Sequence, residues 1–253
     1  MQYGFRDLEP TYRNEYEDVP TEGFVFGDFD TRKVGWWVVS REAPTPTENE
    51  IIEKVAYKPG VYDFSMYKGE RFFDNRTITY KIVMPLGVYH ERKIFEEEIK
   101  RQLMPLGINN LVDTHEEAYY WQGKCKSVEV EDDETKGMLT ATVVFDCYPY
   151  AFTNNLEGAD IWDDVVFDHW IWQPVKFDVT KSQDIVLENI GSRPVLCKFG
   201  LTGKVTVKTT ENTLELDKDN YSKSSFVLNV GKNKITLSGS GTIEFKFRRE
   251  EML

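Results

Sequence analysis

The sequence lacks the features that define several large classes of protein. No uninterrupted apolar run approaches the roughly 18 residues of a membrane-spanning helix, and the opening residues do not resemble a signal peptide. Cysteine is scarce: Cys125, Cys147 and Cys197 are an odd number without a CxxC pair. A disulfide scaffold or a cysteine zinc site is therefore not expected. These absences predict a protein that is made in the cytoplasm and does not insert into a membrane.

Positive charge is also in short supply. The chain has 31 basic and 43 acidic residues, which give a formal net charge of −12. A surface of this sign repels the phosphates of a duplex, so the composition argues against a protein that grips nucleic acid. We expect no bound nucleic acid.

The usual catalytic signatures are missing as well. The sequence has no GxSxG nucleophile elbow and no glycine loop that would cradle a phosphate. The histidines His90, His115 and His169 lie far apart and form no helical i, i+4 pair with another metal ligand. Each cysteine falls in a strand pattern, where a thiol packs as a small hydrophobe. We therefore predict no enzymatic activity and no cofactor.

Two acidic clusters have residue types that could serve a metal or catalytic site. Asp163, Asp164, Asp168 and His169 offer ligands that would suit calcium or a harder transition metal. Their spacing matches no ligand loop, which favours a polar loop. The run Glu96–Glu98 lies on a predicted helix and is typical of a solvated helix face. No metal site is predicted.

The first half is predicted to be mostly β with one helix. Short strands rich in aromatic residues and valine are broken by turns at residues 58–60 and 68–69. REAPTPTENE, residues 41–50, has two prolines and no apolar face, so we expect an exposed extended arm. In residues 90–107 apolar side chains recur every four positions and predict a helix that ends at a proline. A hairpin follows, with its turn at residues 132–137.

The stretch TATVVFDCYPYAF, residues 140–152, indicates a joint between two halves of the chain. Apolar and other side chains alternate up to Cys147, as they do in a strand with one face on a core. Pro149 cannot donate to a sheet ladder, so the strand is expected to end near Tyr148 and the chain to change direction.

Beyond this joint the sequence predicts an all-β sandwich. Apolar residues alternate in short runs at even spacing. The runs are residues 195–199, 205–207, 226–230 and 243–247. We expect separate short strands with turns such as residues 231–233 and 238–241. The predicted domains are residues 1–147 and 148–253.

Aromatic residues are abundant, at 14% of the chain, which is more than two modest β cores require. Trp36 and Trp121 are expected in the core. Tryptophan and tyrosine favour protein interfaces and sugar-binding platforms. The candidate interface residues are Trp37, Pro44, Pro46, Trp162, Trp170 and Trp172.

Several segments, taken in order, resemble one known family. They are FGDFDTRKVGWWV, the proline-bearing segment after it, the helix ERKIFEEEIKRQLMPLG, the hairpin that closes on VVFDCYPYAF, and finally NIGSRPVLCKFG and SFVLNVGKNKITLSGSGTIEFKFRREEML. Together they resemble the distal tail proteins of siphophages, the Dit family of baseplate hubs, over almost the whole chain.

The resemblance implies a structural role. Residues 1–147 would form a ring-forming domain, like a β-sandwich or split barrel with one helix, through which six copies assemble. Residues 148–253 would form a galectin-like β-sandwich. The ring would join the tail tube protein to the tail-tip protein, and the second domain would hold receptor-binding adhesins. DNA would pass through the ring without being bound, no membrane would take part, and the protein would be assembled in the host cytoplasm into the virion's tail tip.

The galectin-like half keeps a second function open, a carbohydrate-binding module that recognises the host surface. Galectins hold sugar with His, Asn, Arg and Trp positions on neighbouring strands. The only histidine after residue 150 is His169, outside the regular strands. This departure favours the docking of a separate adhesin.

Overall fold

The computed structural model describes residues 19–67, 69–85, 88–158 and 170–253, and the protein is mostly β. The chain divides into two compact units, residues 1–151 and 152–253. The predicted boundary after residue 147, and the roles assigned to the two domains, stay predictions.

The first unit is built on one antiparallel sheet. The strands of this unit, inside and outside that sheet, are β1 (Phe24–Phe26), β2 (Phe29–Asp30), β3 (Trp37–Glu42), β4 (Ile52–Glu53), β5 (Tyr62–Asp63), β6 (Met66–Tyr67), β7 (Glu70–Arg71), β8 (Arg76–Pro85), β9 (Asn109–Asp113), β10 (Tyr119–Asp133) and β11 (Met138–Cys147). The order across the sheet is β2-β1-β9-β10-β11-β8-β3. Strands β4 to β7 lie outside it, in two small ribbons.

The centre of the sheet follows the predicted pattern. Buried and half-buried residues alternate along all ten positions of β11, which places Val143, Phe145 and Cys147 in the core. Strand β11 ends at Cys147, so the predicted end near Tyr148 is confirmed within one residue. Trp36 and Trp121 are fully buried, as expected.

Two helices accompany this sheet, where the sequence predicts one. The predicted helix is α2 (Tyr89–Leu103), and it buries Ile99 and Leu103. The unpredicted α1 (Thr31–Val34) is a single turn: the Asp30 side chain accepts a hydrogen bond from the Arg32 main-chain N–H at its start. A helix this short has no detectable apolar period, so its cap is the only signal. Among the described residues, no helix is both long and apolar enough to cross a membrane.

The second unit contains the remaining strands. They are β12 (Ala151–Thr153), which begins at the boundary, β13 (Lys176–Val179), β14 (Ser182–Asn189), β15 (Val195–Lys208), β16 (Thr213–Leu216), β17 (Ser225–Leu228), β18 (Gly231–Lys246) and β19 (Glu250–Glu251). Strands β15 and β18 pair with each other along most of their length. The first half of β18 also pairs with β14, and its second half pairs with β13.

The predicted turn at residues 238–241 is wrong. These residues lie inside β18, where Gly239 and Gly241 have φ of 122° and 150° and bend the strand without breaking its ladder. Gly203 on β15 lies directly opposite Gly241 and has φ of 85°. Both long strands therefore bend at the same place, and side chains from both halves of each strand share one core.

The last residues of the chain pack within the second unit. The main-chain N–H of Thr153 donates to the oxygen of Arg249, and that of Ser192 donates to the oxygen of Glu250. Strand β19 also pairs with β12. The C-terminal segment is thus held between residues 153–157 and the segment after β14.

Candidate functional site

The most exposed apolar surface of the described residues is the connection between β3 and β8, residues 43–75, which we call the arm. Arg76 anchors its base: Nη2 of Arg76 donates to the main-chain oxygens of Ala43 and Pro44 at 2.8 and 3.0 Å. Arg76 is only 2% exposed, so the anchor lies inside the unit.

A short stem follows the base. The N–H of Asp74 donates to the oxygen of Thr47, and the N–H of Asn49 donates to the oxygen of Phe72, each at 2.9 Å. An ion pair lies across the stem: Nε of Arg71 donates to Oε1 of Glu48 at 2.7 Å, and Nη2 donates to Oε2. Main-chain hydrogen bonds and the Arg71–Glu48 ion pair therefore hold the two sides of the stem together.

Beyond the stem, the arm divides into two hairpin tips. Strands β4 and β5 form the longer tip, and β6 and β7 form the shorter one. The buried Ser65 lies between them: its Oγ accepts from the N–H of Ile51 at 2.9 Å, and its own N–H donates to Oδ1 of Asp63 at 2.8 Å. These contacts give the arm a defined shape with very little core.

The arm carries large apolar side chains that the described part of the chain does not cover. They are Ile51, Ile52, Val55, Tyr57, Val61, Tyr62, Phe64, Met66, Tyr67 and Phe72, each more than 40% exposed. Large exposed apolar side chains that are gathered on one segment in this way mark a site of interaction with a partner. The partner would bury surface whose release from water contributes roughly 25 cal/mol per Å².

Tyr57 at the end of the longer tip is unusual in two respects. Its side chain is fully exposed, and its φ is 64°, the left-handed region that favours glycine. An L-residue with a bulky side chain costs about 1–2 kcal/mol in this conformation. Strained residues cluster at binding sites, and Tyr57 adds a second indication that the tip is functional.

The structure places the predicted interface residues in different settings. Pro44 is exposed at the base of the arm and Trp37 is half-buried on β3, whereas Pro46 is buried. Trp172 is 72% exposed. The ring of Trp170 lies 4.6 Å from the guanidinium carbon of Arg249, so one face of it has a partner within the chain.

The last interface candidate, Trp162, lies outside the described residues, and so does the polar group Asp163, Asp164, Asp168 and His169, at which no metal site is predicted. No group of three or more metal-ligating side chains is found in the described part of the chain.

Sequence reasoning missed the apolar side chains of the arm. It predicted an exposed arm only for residues 41–50, because this segment is polar, and it assigned the apolar residues after it to ordinary strands. Short strands do lie on either side of the two predicted breaks: β4 and β5 flank residues 58–60, and β6 and β7 flank residues 68–69. The sequence offers no clear signal, because the run between these breaks, residues 61–67, is seven residues long and suits an ordinary strand of a sheet.

A polar cluster holds the end of β3 to the centre of the first unit. Nε of Arg41 donates to Oδ2 of Asp113 at 2.7 Å, and the Tyr80 hydroxyl donates to the same oxygen. All three residues are buried. Burial and the nearby Asp113 carboxylate raise the pKa of Tyr80 well above its ordinary range, so it stays a neutral donor. This network fixes the strand from which the arm begins.

The cysteines are free, buried and unsuited to nucleophilic chemistry. Burial raises the pKa of Cys125 to about 11, and the pKa of Cys147 and of Cys197 to about 12. At neutral pH these thiols are protonated, and only the thiolate is a strong nucleophile. Their predicted packing as small hydrophobes is confirmed.

The second unit contains a buried ion pair. Nε of Arg249 lies 3.1 Å from Oε2 of Glu157, and both side chains are almost wholly buried. Nη1 of Arg249 also donates to Oε1 of Glu251 at 3.3 Å. Burial raises the pKa of Glu157 and of Glu251, and the charge of Arg249 opposes the rise in both. One guanidinium thus serves two carboxyl groups and the ring of Trp170.

No protein-family model matches the sequence, and no curated protein matches it. Solved structures do match it. The crystal structure of the Dit (gp 19.1) protein of phage SPP1 is described as a paradigm of the hub adsorption apparatus in phages that infect Gram-positive bacteria. It matches with a TM-score of 0.61 and 10% identity, covering 90% of this chain and 99% of that one. The phage P2 baseplate in its activated conformation matches with a TM-score of 0.45 and 10% identity, covering 90% and 97%.

The SPP1 match shows that this chain has the fold of a phage hub protein. The resemblance to distal tail proteins that the sequence indicates is confirmed for the fold.

Proposed function

We propose that this protein is a structural hub of a siphophage tail tip or baseplate. Six copies form a ring through the first unit, and the ring joins the tail tube protein to the tail-tip protein. The second unit carries receptor-binding components. The protein catalyses no reaction, and it is a part of the virion that is assembled in the host cytoplasm.

The observation that carries this proposal is the exposed apolar surface of the arm, in a chain with the fold of a phage hub. A monomeric soluble protein rarely leaves this many large apolar side chains in water. Assembly with identical copies covers such surfaces without a second kind of protein, and most soluble oligomers are closed and symmetric. The arm has a closed stem, so it can bind without first folding.

The charge distribution supports a ring through which DNA passes without being bound. Residues 1–151 carry 28 acidic and 18 basic residues, whereas residues 152–253 carry 15 and 13. The unit assigned to the ring therefore holds most of the negative charge. Acidic walls repel a phosphate backbone, so the genome would slide past them.

One observation favours a second candidate function. The side chain of Trp172 is 72% exposed, and exposed tryptophan rings serve as platforms for sugars. A glycan array with the full chain tests this candidate: saturable binding that Trp172→Ala abolishes would support a carbohydrate-binding module. Adhesin docking predicts no such binding.

Native mass spectrometry with negative-stain microscopy tests the ring. We expect the full chain to form six-fold rings at high concentration or with its tail neighbours. The variant Val55→Glu with Tyr57→Glu changes only exposed tip residues, and we expect it to stay monomeric. Val186→Glu, at an exposed apolar position of the second unit, is the matched control and should form rings. A wild-type chain that stays monomeric even with a tube partner would overturn the proposal.

A further inference from the structure

A second exposed apolar segment of the first unit follows helix α2. Residues Met104–Ile108, with the sequence Met-Pro-Leu-Gly-Ile, form what we call the apolar turn, and none of them is charged. Leu106 is half-buried and the other four residues are exposed, Ile108 to 76%. An uncharged, exposed stretch of this kind is notable in a chain with a net charge of −12.

The register of the sheet places the arm and the apolar turn at the same level. Cys147 on β11 lies opposite Arg76 on β8 and opposite Gly123 on β10. Gly123 in turn lies opposite Asn109, the first residue of β9. The arm therefore rejoins the sheet at Arg76, and the apolar turn joins it at Asn109, in one row across four strands. The two points are roughly 14 Å apart, three times the usual strand spacing.

The two surfaces are displaced toward opposite edges of the sheet. The arm connects β8 to β3, and β3 is the last strand on one side. The apolar turn leads into β9, which in the described part of the sheet is followed by β1 and the two-residue β2 at the other edge. Two different surfaces that are displaced toward opposite edges of one sheet, at one level, suit a head-to-tail contact between copies, and such contacts can close into a ring.

We propose that the arm of one copy packs on the apolar turn of the next copy. This inference rests on the proposed ring and names the surface that receives the arm. The arm supplies the exposed apolar side chains, and the apolar turn supplies an uncharged surface for them. The net charges are complementary, because residues 43–75 hold six acidic and four basic residues, whereas Arg101 is exposed just before the uncharged turn.

Mixing two variants tests this contact. Val55→Glu with Tyr57→Glu disables the arm and leaves the turn intact, whereas Ile108→Glu disables the turn and leaves the arm intact. Each variant alone should be monomeric by analytical ultracentrifugation. In an equimolar mixture the intact arm of the Ile108→Glu variant can pack on the intact turn of the other variant, whereas the reverse contact is lost. We therefore expect a one-to-one heterodimer and no larger species. Formation of the heterodimer also shows that both variants are folded.

Val88→Glu is the matched control, since Val88 is 57% exposed just before the other end of helix α2, and this variant should assemble as the wild type does. An Ile108→Glu variant that still forms wild-type rings would overturn the inference and leave the proposed ring standing. A mixture that stays monomeric would also overturn it, because the arm would then bind some other surface. A wild type that stays monomeric even with a tube partner would overturn the ring and the contact together.

Discussion

Arg76 and Pro44 are 32 positions apart in the sequence, and a hydrogen bond from the Arg76 guanidinium to the Pro44 main-chain oxygen joins them at 3.0 Å. The same Nη2 reaches Ala43, so one buried side chain holds the outgoing strand of the arm beside the returning one. The direction in which the arm leaves the sheet depends on this contact.

We expect Arg76→Lys to loosen the base of the arm. A lysine keeps the charge but lacks the planar group that serves two oxygens, and hydrogen bonds to charged groups contribute about 1.5–3 kcal/mol. The free energy of unfolding should fall by about that amount, with faster hydrogen exchange over residues 43–48. Lys81→Gln, at an exposed position on the same strand, is the control. Unchanged exchange at the arm would contradict this role for Arg76.

The bend of the second unit makes a graded prediction for two glycines. Gly241→Ala would bring a Cβ against the main-chain oxygen of Thr202, whereas a Cβ at Gly231 meets nothing. Both residues have positive φ. Gly231→Ala should therefore cost only the backbone term of about 1–2 kcal/mol, and Gly241→Ala should cost on the order of 4 kcal/mol or more. Urea unfolding measures the free energy of unfolding of both variants. Equal losses of stability would argue against a close approach of the two strands at Gly241.

Arg249→Met should destabilise the second unit strongly. Removing the guanidinium leaves the buried Glu157 carboxylate without its positive partner, and breaking a buried pair in this way lowers the free energy of unfolding by about 3–5 kcal/mol. Adding Glu157→Gln to Arg249→Met should recover much of the loss, because the buried charge is then gone. A double-mutant cycle in urea measures the coupling, and additive effects of the two changes would refute a direct pair.

The same site predicts a dependence on pH. The pKa of Glu157 is raised in the folded protein above its ordinary value of 4.5, so the native state binds this proton more tightly than the unfolded state. The free energy of unfolding should therefore fall as pH rises from about 4.5 through the folded pKa and then level off. Glu157→Gln should make this fall smaller but leave a remainder, because the pKa of Glu251 is also raised. If the free energy of unfolding of the wild type instead rose with pH through this region, and that of Glu157→Gln did not, the pKa of Glu157 would be lowered in the folded protein and not raised.

The stem of the arm should respond to acid in the opposite sense. A hydrogen bond from Arg71 lowers the pKa of Glu48 in the folded protein. Its stabilising effect is present above pH 4.5, the ordinary value, and is lost as pH falls through the lower folded value. The protection of the Asn49 and Asp74 amides from hydrogen exchange, relative to the intrinsic rate at each pH, should therefore fall in acid. Glu48→Gln should already exchange fast at neutral pH, and slow exchange in that variant would count against the ion pair.

Some elements follow from the sequence alone because the determinants are local. The helix over residues 89–103 combines a four-residue apolar period with a proline stop, and the β10–β11 hairpin combines alternation with a polar turn. These signals lie within a few residues of the structure that they specify. The match in fold with a phage hub protein likewise follows from the order and spacing of such elements.

Other features could not be predicted because they depend on residues far apart in the chain. Glycines at 239 and 241 suit a turn as well as a bend, and only pairing with β15 decides between them. Trp170 resembles a surface anchor until Arg249, 79 positions later, lies over its ring.

The sequence by itself determined the mostly β class, the long helix, the burial of the cysteines and the resemblance to a hub, since short-range periodicity and composition specify these. Tertiary structure alone decided that residues 51–72 form a self-paired arm with its apolar side chains in water. Whether an apolar side chain is covered depends on what packs against it, and no local pattern records that.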